Sequence, residues 1–564
     1  LVSGFTALTL SPMMGSKLLR HETQHGKFFE FGERVLRSLD SGYKRALKVA
    51  LGLRFAIVVV AAVLFAGIFG LKMLLKPELA PQEDQGLVIG FATAPEGSTI
   101  DYTDKYGKQM ESILMGVPEK DRVFEIVGFN GVTSALGFVG LKDWSQRDRS
   151  AQDVAGSLFP QFMGITGLTA FPVTPPALGQ GGFGQPVSFV VQTSGTWEDL
   201  DGVVKKLLAK MAENPKLTNP DSDLKLDKPQ LRVDVNRDKI AAIGSSVTTV
   251  GRTLETMLGG RNVTRFKRGT EQYDVIVQVA DDARRTPQSL GNMFVRAGDG
   301  SMVQIDNLAT VTETVAAKEL NHFNKLRAAT ISAGLTPDYS QGQALAWMQK
   351  ALQEVAPSTQ YDLGGQSREF RASSSDFTVM LVLALIFIYL VLSAQFESFI
   401  DPVVILISVP LAVFGAFSCL VLLNLGAGLH PFGHSLWHIT GSWNIYTQIG
   451  VVTLVGLISK HGILIVEFSN QLQEQGRSKF DAVVEAATLR LRPILMTTGA
   501  MVLGSIPLAI ASGAGAEARH QIGWVIVGGM SFGTLMTLFV VPVVYLMIAR
   551  NHSGDAERHA LTAH

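Results

Sequence analysis

The sequence predicts a helical membrane bundle joined to a large aqueous α+β domain, and three observations carry that reading. Five segments are apolar and long enough to cross a bilayer core of about 30 Å, and a shorter sixth at 494–512, with Thr497, Thr498 and Pro507, is counted as a span because of its membrane neighbours. Between the first and second of them, residues 76–375 alternate strand-like and helix-like runs in the manner of a soluble protein. The third observation is compositional. Of the 564 residues 47% are hydrophobic, which excludes a disordered chain, and 49 basic against 49 acidic residues leave no basic excess for a nucleic acid. The single cysteine, Cys419, lies in an apolar run and excludes a disulfide framework or a Cys-based zinc site within the chain.

In chain order, residues 1–19 read as the end of a membrane helix, and with Leu1 in place of an initiator Met the chain is expected to begin in mid-protein. The linker 20–52 is expected in the cytoplasm, because Lys17, Arg20, Lys27, Arg34, Arg37, Lys44, Arg45 and Lys48 resist translocation. Within it Phe28, Phe29, Phe31, Val35, Leu36 and Leu39 are spaced among charges as in an amphipathic helix, lying on the membrane surface or packed on a neighbour. The first complete span is 53–75. The region 376–550 holds the other five, at 377–394, 402–425, 445–468, 494–512 and 521–549, before a cytoplasmic tail at 551–564. Alternation sends 76–375 to the far side and returns 471–492, with Arg477, Lys479, Arg490 and Arg492, to the cytoplasm. The loop 395–401 is placed there too, although it holds Glu397 and Asp401 and no basic residue, because acids count little in this rule.

In the aqueous domain, 87–92, 101–114 and 122–129 follow as strand, helix and strand, a β-α-β unit. A second cycle runs through 187–192, 200–213 and 231–235. Helical 246–258, strand-like 273–279 and the turn at 297–301 read as a unit inserted in the second module, and the Pro and Gly cluster at 171–186 reads as the joint between modules. The boundaries are then about 84–185 for one module, 186–236 with 325–372 for the other, and 237–324 for the insert. No phosphate loop, His-Glu-x-x-His or Gly-x-Ser-x-Gly is present, so neither an enzyme nor an ATP-driven pump is expected.

Lys460 is the informative charge, since an ammonium deep in an apolar span costs about 3 kcal/mol or more. Thr497 and Thr498, in the span that begins next to Arg490, could line a polar seam toward it, as in a proton relay; a snorkelling or structurally paired lysine is the alternative. His461 lies about 100° away around the same helix and is expected to be structural. Glu467 and Asp376 lie near span ends, so the acid that would pair with Lys460 is expected in sequence outside this chain.

Five runs belong together: Leu10-Ser11-Pro12-Met13-Met14, Pro77-Glu78-Leu79-Ala80-Pro81-Gln82-Glu83-Asp84-Gln85-Gly86, Leu141-Lys142-Asp143-Trp144, the run from Gly456 through Lys460-His461 to Phe468, and Arg490-Leu491-Arg492-Pro493-Ile494-Leu495-Met496-Thr497-Thr498. With these motifs the chain resembles the resistance-nodulation-division (RND) multidrug efflux permeases, in their hydrophobe and amphiphile branch. The resemblance implies the C-terminal half of a 12-span fold, with six complete helices, β-α-β porter modules and an inserted docking subdomain. It implies an inner-membrane antiporter that exports hydrophobic or amphiphilic compounds on the proton gradient without a cofactor. It also implies a trimer of like or paralogous subunits, a periplasmic adaptor and an outer-membrane channel. Lys460, Thr497 and Arg490 fall at its proton-relay positions, where two aspartates of another span complete the relay, and Phe124, Phe129 and Phe138 fall at its drug pocket. Core packing is the competing reading for each Phe. The family's Phe-rich switch loop is only partly matched, since Asn130-Gly131-Val132-Thr133-Ser134-Ala135 lacks further aromatics.

The long loop after Leu425 departs from the pattern. His430, His434 and His438 are spaced as metal ligands on a helix would be, but Pro431 and Gly433 oppose a regular helix, so an interfacial segment anchored by Trp437 and Trp443 is favoured and no metal site is expected. The competing functions are a metal-ion exporter of the same superfamily, and a noncatalytic scaffold or protein-translocation accessory. Met110, Met115, Met163, Met211, Met257 and Met293 are scattered rather than clustered, which favours core filling over metal transport.

Overall fold

The computed structural model describes residues 2–18, 27–176, 178, 185–336, 339–427 and 440–551. The chain starts with α1 (Val2–Leu18), α2 (Lys27–Gly52) and α3 (Arg54–Leu74), of which only α3 has the length and apolarity of a full span. The C-terminal half of α2 is packed on the bundle. Tyr43, Leu47, Ala50 and Leu51 are buried with residues of the later membrane helices, and the Tyr43 hydroxyl donates to Leu538 O at 2.6 Å. Leu36 and Leu39 remain exposed, while the side chains of Phe28, Phe29, Phe31 and Val35 lie outside the described residues.

After the short β1 (Lys76–Pro77), the first extramembrane module runs β2 (Leu87–Thr93), α4 (Ile100–Met115), β3 (Lys120–Val127), β4 (Ser134–Leu141), α5 (Ala151–Met163) and β5 (Thr169–Val173). Thr99 caps α4, and a Ser150/Asp153 capping box starts α5. The strand order is β3-β4-β2-β5, so β4 lies between the strands joined by α4, a split β-α-β unit. Both helices cover one face, burying Val88, Met110, Leu114, Val139, Leu158 and Phe162. Close contact there requires Gly137: a Cβ on it would fall 2.5 Å from Leu114.

The second module begins with β6 (Val187–Thr193), α6 (Trp197–Ala212) and β7 (Leu217–Ser222). The insert follows as β8 (Lys228–Val235), α7 (Arg237–Ala242), α8 (Val247–Leu254), β9 (Arg261–Arg268), β10 (Glu271–Val277), α9 (Pro287–Gly291), β11 (Phe294–Arg296), β12 (Met302–Gln304) and β13 (Ala309–Ala316). The chain returns through β14 (Asn321–Phe323), β15 (Leu326–Leu335), α10 (Gln341–Val355) and β16 (Gln360–Leu363). The sheet is ordered β14-β15-β6-β16, with β7 also on β15. Thus β7, not 231–235, completes the second β-α-β unit. The latter run belongs to β8, which pairs with β13 from Lys228 to Val235 as the stem of the insert. Apolar alternation reads alike in a stem with one covered face and in a sheet strand, which explains the difference. The insert has its own core of Ile240, Val250, Met293, Val295, Ile305 and Leu308.

The remaining helices are α11 (Gly365–Phe396), α12 (Asp401–Leu406), α13 (Ser408–Ala427), α14 (Ile445–Glu474), α15 (Lys479–Ala509) and α16 (Ala516–Ile548); the short β17 (Ser442–Trp443) precedes α14. Counting α12 and α13 as one span, six described helices are long and apolar enough to cross a membrane. The start of α15 lies well before the predicted 494, because its first turns are helical but charged and amphipathic. α16 is packed against α13, α14 and α15. Small residues let backbones approach: a Cβ on Gly529 would lie 2.3 Å from Leu454, and one on Gly533 would lie 2.7 Å from Ala412.

At one end of the bundle β1 pairs in parallel with β17, joining it to the extramembrane region. Glu78 accepts a hydrogen bond from Ser442, and Asn444 caps α14. Burial holds the Glu78 carboxyl above its ordinary pKa despite its bonds to Ser442 and Asn444. Trp443 sits edge-on between Phe377 and Phe417; Trp437 and the His430, His434 and His438 loop lie outside the described residues. At the opposite end Asp401 is fully buried and accepts from Asn470 Nδ2 at 3.2 Å, so the acid in the 395–401 loop is folded into the bundle.

Candidate functional site

The motifs that flank the first module lock together. Asp84 accepts from Arg147 at 2.7 Å, from Ala151 N at 3.0 Å and from Gly86 N at 3.0 Å, while Trp144 Nε1 donates to Asp84 O at 3.1 Å. Burial opposes ionisation of Asp84, but Arg147 and the two backbone N–H groups outweigh it and hold the carboxyl below its ordinary value. This fixes β2 against the start of α5 and frames the sheet.

On the sheet face away from α4 and α5, strand register aligns two apolar rows. Phe124, Phe138, Ile89 and Val173 form one; Ile126, Leu136, Phe91 and Phe171 form the other. Phe124 and Phe138 stack at 6.1 Å between centroids, and Phe91 and Phe171 at 5.8 Å. Ile89 and Leu136 at the centre are buried, whereas Phe124 is 62% exposed at the edge. Phe129 stands apart, 57% exposed, in a turn between Gly128 and Gly131, both with positive φ. The structure therefore brings Phe124 and Phe138 together outside the helix-covered core and leaves Phe129 on the neighbouring turn. Sequence reasoning missed Phe91, Phe171 and the aliphatic members of the rows; the alternation of β2 and β5 was the signal that could have found them. Such a face suits varied apolar molecules, because it offers contact area without a fixed polar pattern.

The opposite face of the same strand carries Glu125 beneath α4. Burial pushes its carboxyl up to about 7, Glu111 and Asp104 push in the same direction, and Lys108 opposes them. A Cβ on Gly107 would lie 2.6 Å from Glu125 Oε1, so a glycine on α4 makes room for this acid.

In the bundle Lys460 is exposed within this chain, on an α14 stripe with Ile449, Thr453, Gly456 and Glu467. Among the described residues Lys460 forms no ion pair. Thr497 is partly exposed and donates to Ile494 O at 3.0 Å, beside Met496, which is 74% exposed. The Arg490 guanidinium lies over the Phe468 ring at 4.5 Å, and its Nε is buried with no hydrogen-bond partner among the described residues. Thr498 differs from the expected seam: one position, or 100°, beyond Thr497, it turns inward to His461 and Thr534. Arg492 reaches Asp40 at 2.9 Å and Glu33 at 3.2 Å on α2.

The profile of the AcrB/AcrD/AcrF family matches residues 1–549. An uncharacterized transporter of Haemophilus influenzae is 36% identical over 553 residues, covering 98% of this chain and 53% of its own length. The toluene efflux pump membrane transporter TtgB of Pseudomonas putida is 30% identical over 565 residues, 97% of this chain and 52% of the relative. The multidrug export protein AcrF of Escherichia coli is 28% identical over 571 residues, 98% of this chain and 54% of the relative. The chain thus spans about half the length of the curated relatives it matches.

Proposed function

Because the chain belongs to the AcrB/AcrD/AcrF family of RND efflux permeases, we propose that it forms the proton-coupling and cargo-binding half of an exporter of hydrophobic or amphiphilic compounds. The observation that carries this reading is the pair of apolar rows across β3, β4, β2 and β5, with the Phe124–Phe138 stack at the open edge. A flat molecule laid on that edge buries aromatic area and meets few polar groups that would select one compound. The names of the relatives, a toluene pump and a multidrug exporter, agree with cargo of this chemistry.

The work comes from protons moving inward. Lys460 is exposed on α14 and Thr497 partly exposed on α15, and in this reading carboxylates from outside this chain pair with Lys460. Protonating such a carboxylate removes the partner of Lys460, and the cost of an isolated ammonium drives a helix shift. Arg490 places positive charge over Phe468, between the same two helices. The 76–375 region lies in the periplasm, and the working unit is a trimer with a periplasmic adaptor and an outer-membrane channel. Deleting the gene and restoring it tests the reading. Dyes and detergents accumulate in the deletion strain, and the restored gene expels them unless a protonophore is present. Sensitivity to metal salts alone, with dyes unaffected, would refute it.

A further inference from the structure

Deep in the bundle three polar side chains form a closed triangle. His461 Nε2 is 3.3 Å from Thr498 Oγ1, His461 Nδ1 is 3.3 Å from Thr534 Oγ1, and the two hydroxyls are 3.1 Å apart. The three side chains come from α14, α15 and α16, and relative exposures of 0%, 9% and 2% keep water away. The two ring nitrogens direct their hydrogen bonds about 144° apart, so with the hydroxyls 3.1 Å from each other the imidazole makes one directed bond and packs against the second hydroxyl, while the two hydroxyls bond to one another. Breaking the triangle leaves buried polar atoms unsatisfied, which disfavours any rotation of one helix against the others.

The neighbours of the triangle give it a role. Lys460 precedes His461 and Thr497 precedes Thr498, so each helix places one relay candidate and one triangle member about 100° apart. Holding His461 and Thr498 inward against Thr534 leaves Lys460 exposed on α14 and Thr497 partly exposed on α15. We propose that His461 is a positioning residue, which pins the rotation of α14 and α15 through Thr498 and Thr534 so that Lys460 and Thr497 stay on one face. This rests on the relay reading of Lys460 given above.

The test uses the complete transporter in its membrane. With His461→Leu, turnover per molecule should fall about tenfold or more at unchanged cargo KM and unchanged protein amount, since misplacing a reacting group costs rate rather than binding. His461→Asn, whose amide can still reach Thr534, should recover most of that loss. The double variant Thr498→Val and Thr534→Val should match His461→Leu, and combining all three should cost no more, because the residues act as one unit. Normal turnover in His461→Leu, or losses that multiply, would overturn the proposal. A second readout needs no cargo. In a background with Cys419→Ala and no other cysteine, the maleimide labelling rate of Thr497→Cys relative to Met496→Cys should change about threefold or more when His461→Leu is added, as expected for a rotated helix face. An unchanged ratio would overturn the pin. If Lys460→Ala leaves efflux intact, the relay reading fails instead, and the labelling ratio still decides the rotation.

Discussion

Glu125 makes the first module sensitive to pH in a direction opposite to that of most carboxylates. Its carboxyl is raised from 4.5 to about 7, by burial first and by Glu111 and Asp104 next. At about 1.4 kcal/mol per tenfold, keeping Glu125 ionised in the fold costs about 3 kcal/mol as an upper bound. Its partial exposure lets solvent screen the site and brings this to about 1–2 kcal/mol. The sign follows from proton counting. Between pH 4.5 and about 7 the folded module holds a proton that the unfolded chain has released, so this contribution is fully present below 4.5 and lost as pH rises through about 7. Glu125→Gln removes the ionisation and leaves a side chain of the same shape. Thermal unfolding of the extramembrane region, followed in the complete protein from pH 4.5 to 8.5, should therefore show the variant close to the wild type at the acid end. By pH 8 the variant should be more stable by about 1–2 kcal/mol, or a few degrees. A variant equally stable or less stable than the wild type at pH 8 would refute the argument.

Three further outcomes follow from the same geometry. Replacing Phe124 and Phe138 together by Ala should raise the KM for bulky apolar cargo about tenfold, since losing roughly half a ring of contact at each of the two positions is worth about 1.4 kcal/mol; normal amounts of protein with unchanged dye efflux would count against the apolar rows. Arg492→Met should release α2 from α15 by removing its bonds to Glu33 and Asp40, which limited proteolysis of residues 27–52 in everted vesicles would report as faster cleavage. Gly137→Ala should destabilise the first module by about 1–3 kcal/mol through overpacking against Leu114, and a thermal unfolding curve that matches the wild type would contradict the packing described.

The membrane helices are the most legible part of the chain, because a span needs only sustained apolarity, and each of the six predicted segments overlaps a helix of sufficient length. The charged start of α15 escaped, since apolarity marks the membrane-crossing stretch and not where a helix begins. In the aqueous domain, local order was readable but pairing was not. The run 231–235 looks like any half-buried strand, and only its partner β13 reveals it as a stem. In sequence Asp401 belongs to a polar loop; in the fold it is buried and bonded to Asn470, 69 residues away. At the site, Phe124 and Phe138 could be singled out by resemblance, while the two apolar rows required strand register, which a single sequence does not contain. The 100° offset between Lys460 and His461 was visible in sequence, but Thr534, the third corner of the triangle, lies 73 residues from His461.

The most direct test of proton-coupled export by this bundle is to place Lys460→Ala in the complete transporter and follow the pH gradient of everted membrane vesicles as cargo is added. Wild-type vesicles should discharge the gradient when cargo is supplied, and the variant, present in equal amount, should leave it unchanged. Cargo-dependent discharge at the wild-type rate in Lys460→Ala would contradict the account.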